Sequence, residues 1–240
     1  MRILLVNDDS IHAPGIAMLA KVAAELGDVY VVAPAEECSA MSQKLSLRKN
    51  LTFRKLENFP VPVRVAYEVG GTPVDCVKVA LYYALEEKPD LVLSGINNGY
   101  NAGCDINYSG TLGAAFEALR NGIPAIAVSA AKNEDLQRAE PYLLPLLRQV
   151  AEKRPDACAV WNINFPPMSE KAPEGILWDR AVAPVSMYLE NYTEIPQPDG
   201  SLQIRCHGTP MPDERIPAGT DAEAIRKGYI SVGQVRTAGL

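Results

Sequence analysis

Arg2-Ile3-Leu4-Leu5-Val6-Asn7-Asp8-Asp9 is an apolar run that stops at an amide and two adjacent carboxylates. Four branched aliphatics in a row, bounded by polar residues, read as a short strand buried on both faces, as at the centre of a parallel sheet. Asp8 and Asp9 then stand just past its carboxyl end. In an open α/β sheet that edge is where ligands bind, at the point where strand order reverses. Adjacent carboxylates there repel each other and lose hydration, so they need a compensating cation: a metal, an arginine or a lysine. The competing reading has one of them capping the next helix and the other solvated.

Working outward, Ser10 to Gly15 is a loop, and Ile16, Leu19, Ala23 and Leu26 then fall on one face of a helix that Gly27 ends. Val29 to Pro34 reads as a second buried strand. The first 34 residues thus form a β-α-β unit, whose crossover should be right-handed. No G-x-G-x-x-G joins its strand to its helix, so the dinucleotide fingerprint is missing where it would have to be. The loop Ala35 to Lys44 lies at the same carboxyl edge, bringing Ser39, Ser42 and Gln43. Residues 45–69 carry alternating, proline-broken apolar patches that suggest an inserted hairpin or flap.

Thr72 and Pro73 are an N-cap and first helical residue, followed by Val74, Val77, Leu81 and Leu85 on one face. Leu91-Val92-Leu93 is the next buried strand and delivers Ser94 to Asn101 to the edge. Its asparagines and glycines suit a tight loop, or one shaped to lay amide oxygens on a ligand. Ser109-Gly110-Thr111 enters the helix Leu112 to Arg120. A helix start with free N–H groups and two hydroxyls is what a phosphate needs, although a hydroxyl N-cap alone is as common. Ile123 to Ser129 is another parallel strand, and a helix over 140–153 with a strand over 159–163 completes the layer.

These signals give a Rossmann-like, doubly wound α/β fold: a mostly parallel sheet with helices on both faces, as one domain over residues 1–240. From Pro166 the texture changes to frequent prolines and short apolar runs. Residues 167–240 read as an arm that packs on the core or on a neighbouring subunit. It holds a hairpin turn at Pro198-Asp199-Gly200-Ser201, a helix begun at Thr220 or Asp221, and a strand Tyr229 to Val232.

The composition narrows the function. A net charge of −6 argues against long nucleic acid, which needs a basic footprint, but not against a nucleotide. No apolar stretch is long enough to span a membrane, and the N-terminus enters a strand with no signal-type core, so a cytoplasmic location is expected. Five scattered cysteines with no C-x-x-C pair suggest neither a disulfide framework nor a thiolate zinc site. With His12 and His207 the only histidines, histidine-rich metal sites are not expected.

Asp8, Asp9, Ser39, Asn97, Asn98, Ser109, Gly110 and Thr111 therefore collect at one edge. Oxygen ligands without imidazole or thiolate select a hard divalent cation, magnesium or manganese before zinc. Metal-assisted hydrolysis of a phosphate ester is the chemistry such a set supports.

Several ordered motifs resemble the SurE family of stationary-phase survival proteins, which are 5'/3'-nucleotidases. They are Ile3 to Asp9, Ala33-Pro34 with Ser39 beyond, Gly71 to Val77, Ser94 to Asn97, Tyr108 to Thr111, Asn164-Phe165-Pro166, Thr220-Asp221 and Gly228 to Val232. The resemblance implies a SurE-like fold in homodimers or homotetramers that exchange C-terminal segments. It implies metal-dependent release of phosphate from nucleoside 5'- and 3'-monophosphates and from short polyphosphate. Carried over by position, Asp8, Asp9, Ser39 and Asn97 would bind one divalent cation per subunit, with Ser109, Gly110 and Thr111 near the phosphate. Asn98 is grouped with these phosphate-side residues. Either aspartate would activate the attacking water or act as nucleophile.

The chain departs from the family pattern at Ala35, Ala40 and Glu223, where aspartate, glycine and histidine are usual, and its loop reads Ser42-Gln43-Lys44-Leu45-Ser46 where Ser-Leu-Thr is common. Those departures bear on loop geometry and substrate preference, and Lys44 would add a positive charge near the phosphate or stay solvated. Two rivals stand beside the enzyme: a metal-dependent nucleotide-binding protein without turnover, and a receiver-like signalling domain. A receiver needs a phosphoacceptor aspartate after its third strand, where this chain has Ser94 to Asn97.

Overall fold

A computed structural model describes residues 1–153, 155–156 and 158–237. The opening run forms strand β1 (Arg2–Val6), followed by helix α1 (Pro14–Ala23) and strand β2 (Asp28–Pro34), which lies parallel to β1. Next come β3 (Phe53–Lys55), β4 (Val65–Val69), α2 (Pro73–Val79), β5 (Leu91–Asn98) and α3 (Gly110–Arg120). After these follow β6 (Ala125–Ala130), α4 (Glu140–Glu152), β7 (Ala159–Phe165), β8 (Ile176–Leu177), β9 (Tyr188–Pro196), β10 (Leu202–Pro210), α5 (Asp221–Arg226) and β11 (Ile230–Arg236).

The main sheet has the order β3-β4-β2-β1-β5-β6-β7-β11-β8, parallel from β4 to β7. The chain adds β2 on one side of β1 and returns to add β5 on the other. The order therefore reverses at β1, and the loops after β1 and β5 open the crevice in which such sheets bind ligands.

Alternation along β1 shows why the strand is apolar throughout. Ile3 and Leu5 face a core built with α1 and α4, through Ile16, Leu19, Leu143 and Leu147. Leu4 and Val6 face a second core with α2 and α3, through Val77, Leu112 and Phe116. All four β1 side chains are fully buried. Each such burial contributes about 1.5–3 kcal/mol, so the backbone that carries the acid pair is among the most firmly held in the molecule.

Three local outcomes differ from the sequence expectation. Within residues 45–69 the hairpin alternative forms, with β3 antiparallel to β4, but it is no inserted flap: β4 pairs parallel with β2 and extends the main sheet. Phe53 stacks on Tyr67 with ring centroids 4.6 Å apart, which ties that edge down. The strand expected over 91–93 runs on to Asn98, with a register shift between Ser94 and Asn97 where it pairs with β6. The helix at Thr72 stays regular only to Val79 and passes into a wider turn over Ala80–Ala84, leaving Leu81 and Leu85 half-buried.

The C-terminal segment divides. β11 joins the main sheet antiparallel to β7, whereas β9 and β10 pair only with each other, in a two-stranded sheet turned at 197–201. Asp221 pins the segment to the rest: Oδ1 accepts from the N–H groups of Ala183 and Ala222, and Oδ2 from that of Gly103. No helix among the described residues is long and apolar enough to cross a membrane.

Candidate active site

A cavity of about 630 Å³ opens at the carboxyl edge of the sheet. Asp8, Asp9, Ser39, Asn97, Asn98 and Ser109 all line it; Gly110 and Thr111 stand behind Asp8. The site residues named from sequence are thus brought together.

Asp8 is buried, and Thr111 Oγ1 donates to its Oδ1 at 2.7 Å. Gly110 packs so closely that a β-carbon added there would lie 3.0 Å from Asp8 Cβ and Oδ2. A glycine starts α3 because a larger residue would displace the carboxylate. Burial pushes the Asp8 carboxyl up to about 6; hydrogen bonds from Thr111 pull it down and the Asp9 charge raises it further. Asp9, more open, accepts the N–H of Asn98 on Oδ2 at 2.9 Å. Its pKa is also raised, first by burial and then by Glu37, with the Asn98 N–H opposing.

Among the described residues no lysine or arginine forms an ion pair with either carboxyl. Two partly desolvated carboxylates without a basic partner form an incomplete electrostatic arrangement that a divalent cation would complete. The remaining donors suit one. Asn97 Nδ2 donates to Gly99 O at 2.8 Å, which leaves Oδ1 unengaged among the described residues. Ser39 Oγ donates to Glu37 Oε1 at 2.5 Å and keeps its lone pairs.

Asn98 lines the cavity and also braces it. Its backbone holds Asp9, and its side-chain Oδ1 accepts the N–H of Asn133 at 2.7 Å, so it braces the neighbouring loop. Lys44 does not line the cavity; its ammonium rests on Met41 Sδ.

The loop that carries Ser39 is fixed at both ends. Cys38 N–H donates to Asp8 O, Ser42 N–H to Tyr108 O, Thr72 Oγ1 to Lys44 O, and Ser46 N–H to Asp75 Oδ1. Thr72 and Asp75 form a reciprocal capping box at the start of α2, so one motif caps a helix and anchors the loop. Ala40, where the family has glycine, sits at φ +56°, a left-handed conformation that costs a β-carbon about 1 kcal/mol. Glu223, in place of histidine, lies away from the cavity: it accepts the Gly219 N–H and pairs with Lys227 at 2.7 Å.

Sequence reading brought Asn101 to this edge with the loop Ser94 to Asn101 without singling it out, and it did not name Glu37, Asp105 or the segment 130–134; all of these also line the cavity. The last had a usable signal, since it follows β6 at the same edge. Asn101 belongs to a buried amide network: Nδ2 donates to Ser129 Oγ, N–H to Asn164 Oδ1, and its carbonyl accepts from Asn162 and Asn164. Asparagines at alternate positions of a buried strand, Asn162 and Asn164, were the sign that this face carries polar work.

Known proteins resemble this chain over nearly its whole length. The family described as survival protein SurE matches residues 3–185. A 5'-nucleotidase SurE 1 from Thermus thermophilus is 38% identical over 98% of this chain and 91% of its own length. A 5'-nucleotidase SurE from a Picosynechococcus species is 39% identical, covering 97% and 90%. The crystal structure of the SurE protein from Aquifex aeolicus superposes with a TM-score of 0.83 at 33% identity, covering 98% of this chain and 93% of that one. The matched stretch contains every strand that opens onto the acidic edge, so this protein belongs to the SurE family.

Proposed function

We propose that this chain is a divalent-metal-dependent phosphatase that hydrolyses nucleoside 5'-monophosphates to nucleoside and phosphate. The observation that carries the reading is the pair Asp8 and Asp9, desolvated, without an ion-paired lysine or arginine among the described residues, and set on the wall of a nucleotide-sized cavity. The relatives named as 5'-nucleotidases support the substrate class.

Asp8, Asp9, Ser39 Oγ and Asn97 Oδ1 would hold one magnesium or manganese ion. When bound, such an ion stabilises the charge that gathers on phosphoryl oxygens and lowers the pKa of water. The protein supplies the rest. Ser109 caps α3 through the Leu112 N–H, and the Gly110 N–H, with no acceptor among the described residues, is left for a phosphate oxygen. Thr111 Oγ1 and N–H keep Asp8 oriented. Asp9 Oδ1 accepts no hydrogen bond among the described residues and is placed to take a proton from the attacking water, while Asn98 fixes the other oxygen.

The same reading includes 3'-monophosphates and short polyphosphate as further substrates and a cytoplasmic setting. It also includes a homodimer or homotetramer in which the arm 167–240 meets a neighbouring subunit. The exposed Tyr192, Leu202 and Ile204 of the β9–β10 hairpin support a contact there.

The test is phosphate release from a panel of 5'- and 3'-monophosphates, a general phosphatase substrate and short polyphosphate, with manganese, magnesium or chelator. Metal-dependent release that favours nucleotides is expected. Nucleotide that binds with metal and stays intact would replace the enzyme by a binding protein.

A further inference from the structure

We propose that Asn101 is a specificity-determining residue whose side-chain oxygen accepts a hydrogen bond from a hydroxyl or amino group on the nucleoside half of the substrate. This deepens the phosphatase reading above and rests on it.

Asn101 follows β5, lines the cavity and is only 5% exposed. Every polar atom of it but one is engaged. Its N–H donates to Asn164 Oδ1 at 2.9 Å, and its carbonyl accepts from Asn162 Nδ2 at 2.8 Å and from Asn164 Nδ2 at 3.0 Å. Nδ2 donates to Ser129 Oγ at 2.6 Å. Oδ1 takes no hydrogen bond among the described residues. Nor is it sealed in protein, since the sealed side-chain atoms without a partner there are Asn7 Oδ1, Ser94 Oγ and Asn162 Oδ1. The free acceptor of Asn101 therefore opens to the cavity that the residue lines.

The supporting network is costly to build. β7 is buried from end to end; Trp161, Ile163 and Phe165 pack into the α1 core, and Asn162 and Asn164 stand on the opposite face. Asn162 Oδ1 goes without a partner, a desolvation penalty that an aliphatic side chain would avoid. What the two amides hold in return is the backbone of Asn101.

Position gives the acceptor its ligand. Ser129 lies opposite Asn164, on the sheet face that α3 covers. The start of α3, with Ser109 and Gly110, is the phosphate end of the site. β5 separates β6 from β1, so Asp8 and Ser129 belong to strands two spacings apart, roughly 10 Å. That is the reach from a phosphate to the nucleoside it carries. A phosphate ester dianion offers acceptors alone, so the donor for Asn101 belongs to the sugar or the base. Asp8, Asp9, Glu37, Asp105 and Glu134 also line the cavity. A neutral amide oxygen recognises a donor without adding to the negative charge around the phosphate. Held by four hydrogen bonds, it loses little freedom on binding, and a substrate without the donor leaves it unpaired.

The experiment measures kcat/KM of the metal-loaded enzyme for AMP, 2'-deoxy-AMP, 3'-deoxy-AMP and IMP in wild type, N101A, N101D and S129A. Calorimetric titration of the same nucleotides onto chelator-treated protein reads binding without turnover. A hydrogen bond to a buried, pre-set acceptor corresponds to about tenfold or more. In wild type, one of the three analogues should fall about tenfold below AMP; a deoxy sugar places the donor on the ribose, and IMP places it on the exocyclic amine. N101A should lower AMP to the level of that analogue and leave the analogue unchanged. N101D keeps an acceptor and should keep the preference at a lower overall rate, whereas S129A frees the amide to turn and should narrow it. A wild type that handles all four nucleotides alike would overturn the proposal without recourse to any variant. So would an N101A that lowers all four equally, which is the mark of a structural role. No phosphate release with any metal would overturn the phosphatase reading, with calorimetry still judging Asn101; no binding of any of the four would overturn both.

Discussion

The carboxyl edge of the main sheet and the β9–β10 hairpin are both built from hydrogen-bonded strands, yet they spend their side chains in opposite ways. At the edge, β1 is buried on both faces and holds two carboxylates where water is scarce. In the hairpin, nine successive pairs keep register from Tyr188–Pro210 to Pro196–Leu202, but nearly every side chain meets solvent. The first region accepts an electrostatic penalty because apolar packing overwhelms it. The second has backbone pairing and almost no burial, and its apolar side chains Tyr192, Leu202 and Ile204 stand exposed.

The largest effect should come from the edge. Asp8→Asn or Asp9→Asn is expected to cut kcat/KM by about 10³-fold or more, with circular dichroism unchanged, because a lost carboxylate weakens cation binding without opening the core. Near-normal turnover in both variants would break the contrast between the regions.

The same carboxylate should be a liability without metal. The Asp8 pKa is raised from 3.8 to about 6 on folding, so the folded state holds its proton more tightly than the unfolded one. Stability from this group is then fullest below about pH 4 and falls as pH rises to about 6. The loss is roughly 3 kcal/mol, at about 1.4 kcal/mol per pH unit. In chelator at pH 7, D8N should melt higher than wild type, and the gap should close toward pH 4. An equal Tm at both pH values would remove the electrostatic account.

Asp221 provides a stability control away from the acid pair. Three backbone N–H groups converge on its buried carboxylate, and Asp221→Asn keeps only one oxygen for them. A loss of about 1–3 kcal/mol in chemical denaturation is expected. By contrast, Tyr192→Ser with Ile204→Ser on the hairpin should leave monomer stability within about 0.5 kcal/mol and weaken self-association in sedimentation. An unchanged oligomer would show that the hairpin is not the contact. The smallest change should follow Ala40→Gly, which relieves a left-handed alanine and gains up to about 1 kcal/mol.

The buried strands were legible because their apolar runs are bounded by polar breaks: β1, β2 and β6 follow from composition alone. The acid pair was legible for the same reason, since its position is set by where β1 ends. What sequence did not reveal lay in long-range pairing. Nothing local says that Val65–Val69 would lie beside β2, or that Asn98 would spend its amide on Asn133. The Ser39 loop was readable as a site element, whereas its anchoring through Thr72 and Asp75 needed the fold.

The most direct test of the central claim is phosphate release from AMP by metal-stripped protein as manganese is titrated back, with D8N run beside wild type. The account predicts no release in chelator, recovery that saturates near one ion per chain, and a flat D8N trace. Full activity in chelator, or equal recovery by D8N, would contradict the assignment of Asp8 and Asp9 as the cation site that drives hydrolysis.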